Sequence, residues 1–138
     1  MFPIETRILL AEDTEITRAI MKQMLSKLGY KRVTEVENGI TAWEEIERAL
    51  RSQNPFRLAI IDWNMPQMNG IELLQKIQSY EETRGLPFIL LTSNTDKSQV
   101  IEAMRSGVVN YIAKPFPAAI LQKKLKEAWE FSQKKKAS

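Results

Sequence analysis

The sequence predicts an α/β fold: five β–α units forming an open, doubly wound, five-stranded parallel sheet. Three observations carry this. Short apolar runs alternate with amphipathic helical patterns along the whole chain. Four of the five runs are almost continuously apolar, as strands buried on both faces require. The chain of 138 residues holds five such units, whereas a closed barrel needs about eight. Alternation of this kind forces right-handed crossovers, with helices on both faces of the sheet.

The predicted strands are Arg7 to Ala11, Arg32 to Val36, Leu58 to Asp62, Phe88 to Thr92 and Val109 to Ala113; the second is the exception to continuous apolarity. The first helix is read from Ile16, Ile20, Met24 and Leu28, spaced four apart as an apolar stripe, with Gly29 as its stop. Trp43, Ile46 and Leu50 mark the second helix, and Ile71, Leu74 and either Ile77 or Gln78 the third. A fourth starts at Asp96, capped there with Gln99 reaching back, carries Val100, Ile101 and Met104, and stops at Gly107. Pro117 opens the fifth at its first turn, with Leu121, Leu125 and Ala128 inward and Lys123, Lys124 and Lys126 outward. The polar connection from Arg48 to Phe56, ending Asn54-Pro55, reads as a surface extension of the second helix.

Composition excludes much chemistry. With no Cys and no His there is no thiol nucleophile, Ser-His-Asp triad, imidazole base or Cys/His zinc site. Any bound metal would have oxygen ligands, which selects a hard ion such as Mg²⁺ or Ca²⁺. The net charge of +3 is that of Lys134, Lys135 and Lys136, a basic tail without the aromatic-basic pattern of nucleic-acid surfaces. No apolar run approaches the roughly 18 residues of a membrane span, and Glu5 and Arg7 interrupt any signal-like start. A cytoplasmic protein with no nucleic-acid or membrane partner is expected.

Ligands of open parallel sheets bind at the carboxyl ends of the strands. Glu12, Asp13, Asp62, Thr92 and Lys114 all fall at or just beyond such ends. Asp62 closes a five-residue apolar strand, where no cap or turn demands an acid. Glu12 and Asp13 either join it in a metal site or cap the helix beginning near Thr14. Lys114 either neutralises a transferred group or makes a structural salt bridge with Asp62. Thr92 adds a hydroxyl able to donate to a phosphoryl oxygen. Carboxylate, divalent metal, ammonium and hydroxyl together suit a carboxylate nucleophile that accepts a phosphoryl group.

The acidic pair Glu12-Asp13, the run DWNMPQMNG from Asp62 to Gly70, Thr92, Tyr111 and Lys114-Pro115 stand in one order and register. With them the chain, from Arg7 to Phe131, resembles the receiver domains of bacterial two-component response regulators, in particular the single-domain, chemotaxis-type CheY-like ones. The resemblance implies a flavodoxin-like sheet of strand order 2-1-3-4-5 and Mg²⁺ as cofactor. It makes Asp62 the phosphoacceptor and Asp13 the direct metal ligand, with Glu12 helping through water and Asn64 giving its backbone carbonyl. It makes Lys114 the phosphoryl contact, Thr92 the switch hydroxyl and Tyr111 the ring whose rotamer reports the state; on residues alone, Tyr111 is a half-buried strand aromatic. Asn64 and Asn94 resemble positions that tune the lifetime of the acyl phosphate. Glu12 stands where Asp is frequent, Asn69 replaces the usual acid before Gly70 in what reads as a local turn, and the second helix region is longer.

The expected function is therefore a phosphorylation-dependent switch in a two-component phosphorelay, not an enzyme beyond its own phosphorylation and dephosphorylation, with chemotaxis as the pathway suggested. Since the chain lacks His, the donor is a sensor histidine kinase or His-phosphotransfer protein. The output surface is the face of the fourth helix, fifth strand and fifth helix, with Ser98, Ile101, Tyr111, Lys123 and Lys126. A haloacid-dehalogenase-like phosphatase would carry a second Asp where Asn64 stands, and a flavodoxin-like FMN carrier would not place Glu12 and Asp13 in its phosphate loop. Residues 1–131 are expected to be the receiver and 132–138 a basic tail, acting as a monomer, with a module of a larger regulator or hybrid kinase as the alternative.

Overall fold

The computed structural model describes residues 1–93 and 110–137. Strands β1 (Ile8–Ala11), β2 (Val33–Val36), β3 (Leu58–Asp62), β4 (Phe88–Thr92) and β5 (Tyr111–Ala113) form one parallel sheet in the order β2-β1-β3-β4-β5. Helices α1 (Glu15–Lys27), α2 (Gly39–Arg51), α3 (Gly70–Ser79) and α4 (Ala118–Ala137) connect and cover it. The predicted strands recur within one residue at their starts; the fifth begins at Tyr111, Val109 lying outside the described residues. The fourth predicted helix, with Asp96, Gln99, Val100, Ile101, Met104 and Gly107, also lies outside them, as do Asn94 and Ser98.

Alternation along the strands divides the core in two. Leu9, Ala11, Ala59, Ile61 and Leu90 face α2 and α3, while Ile8, Leu10, Leu58, Ile60, Ile89 and Leu91 face α1 and α4. All are fully buried, each branched side chain being worth about 1.5–3 kcal/mol of apolar transfer. β2 is an edge strand, with Val33 and Thr34 half-buried and Glu35 exposed, which explains its polar sequence. Glu35 binds Arg18 at 3.6 Å and Lys22 at 3.2 Å, so charge covers the free edge.

The helices follow the expected periodicity with one correction. In α1 the buried residues are Met21 and Leu25, with Met24 and Leu28 packed partly beside them. Ile16 and Ile20 are 72% and 47% exposed, so the predicted stripe does not face the core as a unit. A four-residue step overshoots a helical turn by about 40°, so the stripe spirals off the sheet toward the amino end of the helix. Gly29 follows with φ +100, the left-handed stop expected of it. In α2 Ala42, Ile46 and Ala49 are buried, and Trp43 and Leu50 pack at the margin. α3 buries Ile71, Leu74 and Ile77, together with Leu73, leaving Gln78 half-buried. α4 buries Leu121, Leu125 and Ala128, exposes Lys123 and Lys126, and half-buries Lys124. It runs through Ala137, so the expected boundary after residue 131 falls inside a helix.

The polar stretch from Arg48 is split: α2 continues to Arg51, and residues 52–57 lead to β3 with Gln53 at φ 60. Phe2 and Trp129 meet edge to face at 5.2 Å, and the buried Tyr30 hydroxyl donates to Phe2 O at 2.7 Å, binding the amino terminus to the α1–α4 side.

Asn69 does more than shape a turn. Its side chain accepts from Glu72 N–H at 2.9 Å while Glu72 Oε1 accepts from Asn69 N–H at 3.2 Å, a reciprocal cap at the start of α3. Asn69→Ala is expected to cost about 1 kcal/mol in urea denaturation, and Asn69→Asp to keep nearly full stability because the acid caps as well.

Candidate phosphoryl and metal site

Register alone gathers the predicted rim. Ala11 pairs with Ile61, so Glu12 follows beside Asp62; Asp62 pairs with Leu91 and Thr92 with Ala113, so Thr92 and Lys114 follow in turn. Backbone bonds extend the sheet past its last assigned residues: Glu12 N–H donates to Val36 O at 3.0 Å, Trp63 N–H to Leu91 O at 2.8 Å and Lys114 N–H to Thr92 O at 2.7 Å. Side chains at the rim are thus carried by hydrogen-bonded backbone.

Lys114 Nζ donates to Glu12 Oε1 and to Asp62 Oδ2, each at 3.0 Å. Lys114 therefore makes a salt bridge with Asp62, but shares it with a second acid. Glu12 is fully buried and Asp62 nearly so. Asp62 Oδ1 accepts from Asn64 N–H at 3.3 Å. Asp13 is exposed, and Thr14, rather than Glu12 or Asp13, is the N-cap residue of α1, without a side-chain cap bond. Thr92 is buried at the end of β4. Tyr111 is 38% exposed, its ring centroid 5.8 Å from Lys124 Nζ.

Glu12, Asp13 and Asp62 each offer a carboxylate oxygen within 4.8 Å of the others. Against one ammonium, three ionised acids leave two negative charges, the charge one divalent cation balances. Glu12 Oε2 is buried without a hydrogen-bond donor among the described residues, which is costly for an anion in protein surroundings. The all-oxygen donor set and this orphaned oxygen fit a hard divalent ion such as Mg²⁺. Burial, then the hydrogen bond and charge of Asp62, push Glu12 up to about 7 against the opposing pull of Lys114. Burial alone would lower Lys114, but Glu12 and Asp62 outweigh it and raise its pKa.

Three residues support the site in ways the sequence does not show, although Gly70 closes the run that carries the resemblance. Arg18 donates to Glu12 O at 2.8 Å and pairs with Glu35 and Glu37 at 3.6 Å, tying α1 to the rim. A Cβ at Gly70 would stand 2.4 Å from Asp62 O and 2.9 Å from Trp63 Cα. One at Gly39 would stand 2.2 Å from Met68 O. Both glycines let helix starts press against the loop that follows Asp62; Gly39 has no sequence signal beyond its position at a helix start, and Gly70 closes the DWNMPQMNG run.

Two outcomes are expected. Gly70→Ala displaces the backbone carrying Asp62, lowers stability by about 2 kcal/mol in chemical denaturation, and lowers phosphoryl uptake more than Asn69→Ala does. In metal-free protein the folded state holds the Glu12 proton from about 4.5 to about 7 while the unfolded chain has released it. Stability therefore falls as pH rises through that window, by up to about 3 kcal/mol. Urea titrations in EDTA check this, and Glu12→Gln should flatten the slope; the Lys114 contribution lies in the alkaline range, where stability falls as pH rises through its raised folded value.

Comparison with known proteins agrees with this geometry. The family model described as response regulator receiver domain matches residues 8–126. The chain is 40% identical over 119 residues to chemotaxis protein CheY1 of Helicobacter pylori, covering 86% of this chain and 93% of that one. It is 38% identical over 124 residues to chemotaxis protein CheY-3 of Vibrio cholerae, covering 90% and 92%. Among solved structures, the receiver domain of sensor histidine kinase PA1611 from Pseudomonas aeruginosa PAO1, with a magnesium ion coordinated in its active site cleft, superposes with TM-score 0.77 at 32% identity, covering 89% of this chain and 96% of that one. A CheY-like receiver domain protein from Methanospirillum hungatei JF-1 superposes with TM-score 0.80 at 27% identity, covering 95% and 98%. With its sheet order, its rim of acids and lysine, and a family match across most of its length, the chain belongs to the response regulator receiver domains of two-component signalling and is CheY-like.

Proposed function

We propose that Asp62 is the phosphoacceptor of this receiver and that the phosphorylated chain regulates a protein partner. The observation that carries the reading is the Lys114 ammonium, 3.0 Å from both Asp62 and Glu12 in a buried rim where one Glu12 oxygen has no donor among the described residues. The phosphoryl group comes from a phosphohistidine on a sensor kinase or phosphotransfer protein, as the chain has no His of its own. An Asp62 carboxylate oxygen attacks phosphorus, the P–N bond breaks, and the imidazole nitrogen keeps the electron pair and takes a proton. The product is an acyl phosphate on Asp62.

Glu12, Asp13, Asp62 and the Asn64 backbone carbonyl would hold Mg²⁺, which when bound neutralises negative charge on the transferring oxygens. Lys114, already hydrogen-bonded to Asp62, exchanges that contact for a phosphoryl oxygen and keeps its charge balanced throughout. The Thr92 hydroxyl, at the end of the neighbouring strand, donates to the same group and draws its strand end inward. Tyr111 on β5 stands exposed beside α4 and reports that movement. Asn64, where a phosphatase would carry an acid, offers no carboxylate to activate water, which restricts the chemistry to the chain's own phosphorylation and dephosphorylation. Asn64 and Asn94 set the lifetime of the acyl phosphate.

The output face is the predicted fourth helix together with β5 and α4; Tyr111, Lys123 and Lys126 are exposed, while the fourth helix with Ser98 and Ile101 lies outside the described residues. The chemotaxis names of the relatives favour chemotaxis as the pathway. Residues 1–131 act as one receiver, monomeric in the cytoplasm, and 132–138 as its basic extension; none of its described helices is long and apolar enough to cross a membrane. A second reading, a receiver module within a larger regulator or hybrid kinase, is favoured by the similarity to a sensor-kinase receiver.

Trp63 is buried next to Asp62 and supplies the probe. Its fluorescence should change on adding Mg²⁺ and again on adding beryllofluoride or a small phosphodonor, in a background where Trp43 and Trp129 are Phe. Asp62→Asn should abolish the second change. An equal response in that variant overturns the phosphoacceptor assignment.

A further inference from the structure

The end of the sheet opposite the acidic rim carries an unusual row of cations. Arg7, Arg32 and Arg57 each immediately precede a strand, and the register pairing Ile8 with both Val33 and Leu58 sets them abreast in the order Arg32, Arg7, Arg57. Backbone bonds lock the row: Ile8 N–H donates to Arg32 O at 2.9 Å and Arg57 N–H to Arg7 O at 3.0 Å. Neighbouring strands lie about 4.8 Å apart, and like charges side by side oppose sheet formation. Yet neither these arginines nor Lys31 pairs with a carboxylate among the described residues. The opposite ends differ, since there Lys114 binds Glu12 and Asp62 and Arg18 binds Glu35.

Arg57 lines a separate cavity that also holds Glu5, Glu81 and Glu82, while a shallow groove of about 590 Å³ opens beside Arg7 and Arg32, lined by these two with Lys31, Val33, Thr34, Ser52 and Asn54. Its side chains supply guanidinium, ammonium, hydroxyl and amide donors, and no acid lines it. Two of the cations are held in place. The Arg7 guanidinium lies 4.4 Å over the ring of buried Phe56 and donates to Asn54 O, and Lys31 Nζ donates to Ser26 O at 3.2 Å.

We propose that this groove binds a compact oligophosphate, at a site separate from the phosphoryl-accepting rim. Adjacent guanidinium groups present planar donor forks that match phosphate oxygens in pairs. Three cations lining one groove, Arg7, Lys31 and Arg32, call for an anion with several charges in a small volume, which a lone carboxylate does not provide. No aromatic ring lines the groove, so bases have nothing there on which to stack. That favours a phosphate chain over a nucleic-acid strand.

Calorimetric titration with sodium tripolyphosphate in EDTA at low salt tests the site. Wild-type protein should bind, and the double variant Lys31→Gln/Arg32→Gln should bind about tenfold more weakly. The double variant Lys123→Gln/Lys126→Gln, which removes the same charge from α4, should stay within about twofold of wild type. Asp62→Asn should bind as wild type does, so failure of the phosphoacceptor assignment and failure of this one are distinguishable. Sedimentation with phosphatidylcholine vesicles carrying phosphatidic acid separates the phosphate sources. Pelleting that Lys31→Gln/Arg32→Gln abolishes assigns a lipid headgroup, and protein left in the supernatant assigns the soluble anion. Absence of tripolyphosphate binding, or equal weakening by both double variants, overturns the proposal.

Discussion

The shared ammonium of Lys114 is the interaction on which the site depends. Two carboxylates, Glu12 and Asp62, sit at the carboxyl ends of adjacent strands with almost no contact with water. Left unpaired they would repel each other and resist burial. One cation 3.0 Å from each allows both to stay at the rim, but it does not satisfy them: the second oxygen of Glu12 has no donor among the described residues, and its pKa rises to about 7. In metal-free protein a proton on Glu12 relieves the remaining charge at lower pH. The same excess of negative charge is what a divalent ion is suited to relieve.

The geometry is precise because it rests on sheet register rather than on loops alone. Lys114 follows the residue paired with Thr92, and Glu12 follows the residue paired with Ile61. A slip of one residue would turn these side chains to the other face and bury the wrong set. The loop after Asp62 is then pinned where no side chain would fit. Gly70 meets the backbone of Asp62, Gly39 meets that of Met68, and Asn69 closes the cap of α3. Arg18 adds a tether from α1 to the main chain of Glu12 and to two acids at the sheet edge.

Charge is distributed along the strand direction as well as around the rim. Acids collect at the carboxyl ends of β1 and β3, where parallel sheets bind ligands, and arginines stand immediately before the first three strands. The apolar interior between them excludes both. The two ends differ in compensation, since the acidic end carries its own lysine and arginine while the basic row has no acid partner among the described residues.

Much of this was legible in the chain. Near-continuous apolar runs fix strand identity, because a strand buried on both faces has no room for polar residues, and an acid closing such a run marks a site. Hence the five strands are legible, as is the placing of Asp62, the acidic pair and Lys114 at strand ends, and the resemblance supplies the strand order. Other features depended on distance and direction, which sequence does not carry. The α1 stripe does not mark the buried face, because four-residue spacing spirals about a helix, leaving Ile16 and Ile20 outside while Met21 and Leu25 pack inward. Asn69 read as a turn residue because its cap exists only once Glu72 folds back to it. By itself the sequence determined the alternating fold, the absence of thiol and imidazole chemistry, and which strand ends bear reactive groups. Only the tertiary structure decided that one ammonium serves two acids, that two glycines let the loop close, and that three arginines stand abreast. The shared ammonium and the arginine row join residues far apart in the chain, and register and close packing alone bring these, and the glycine contacts, together.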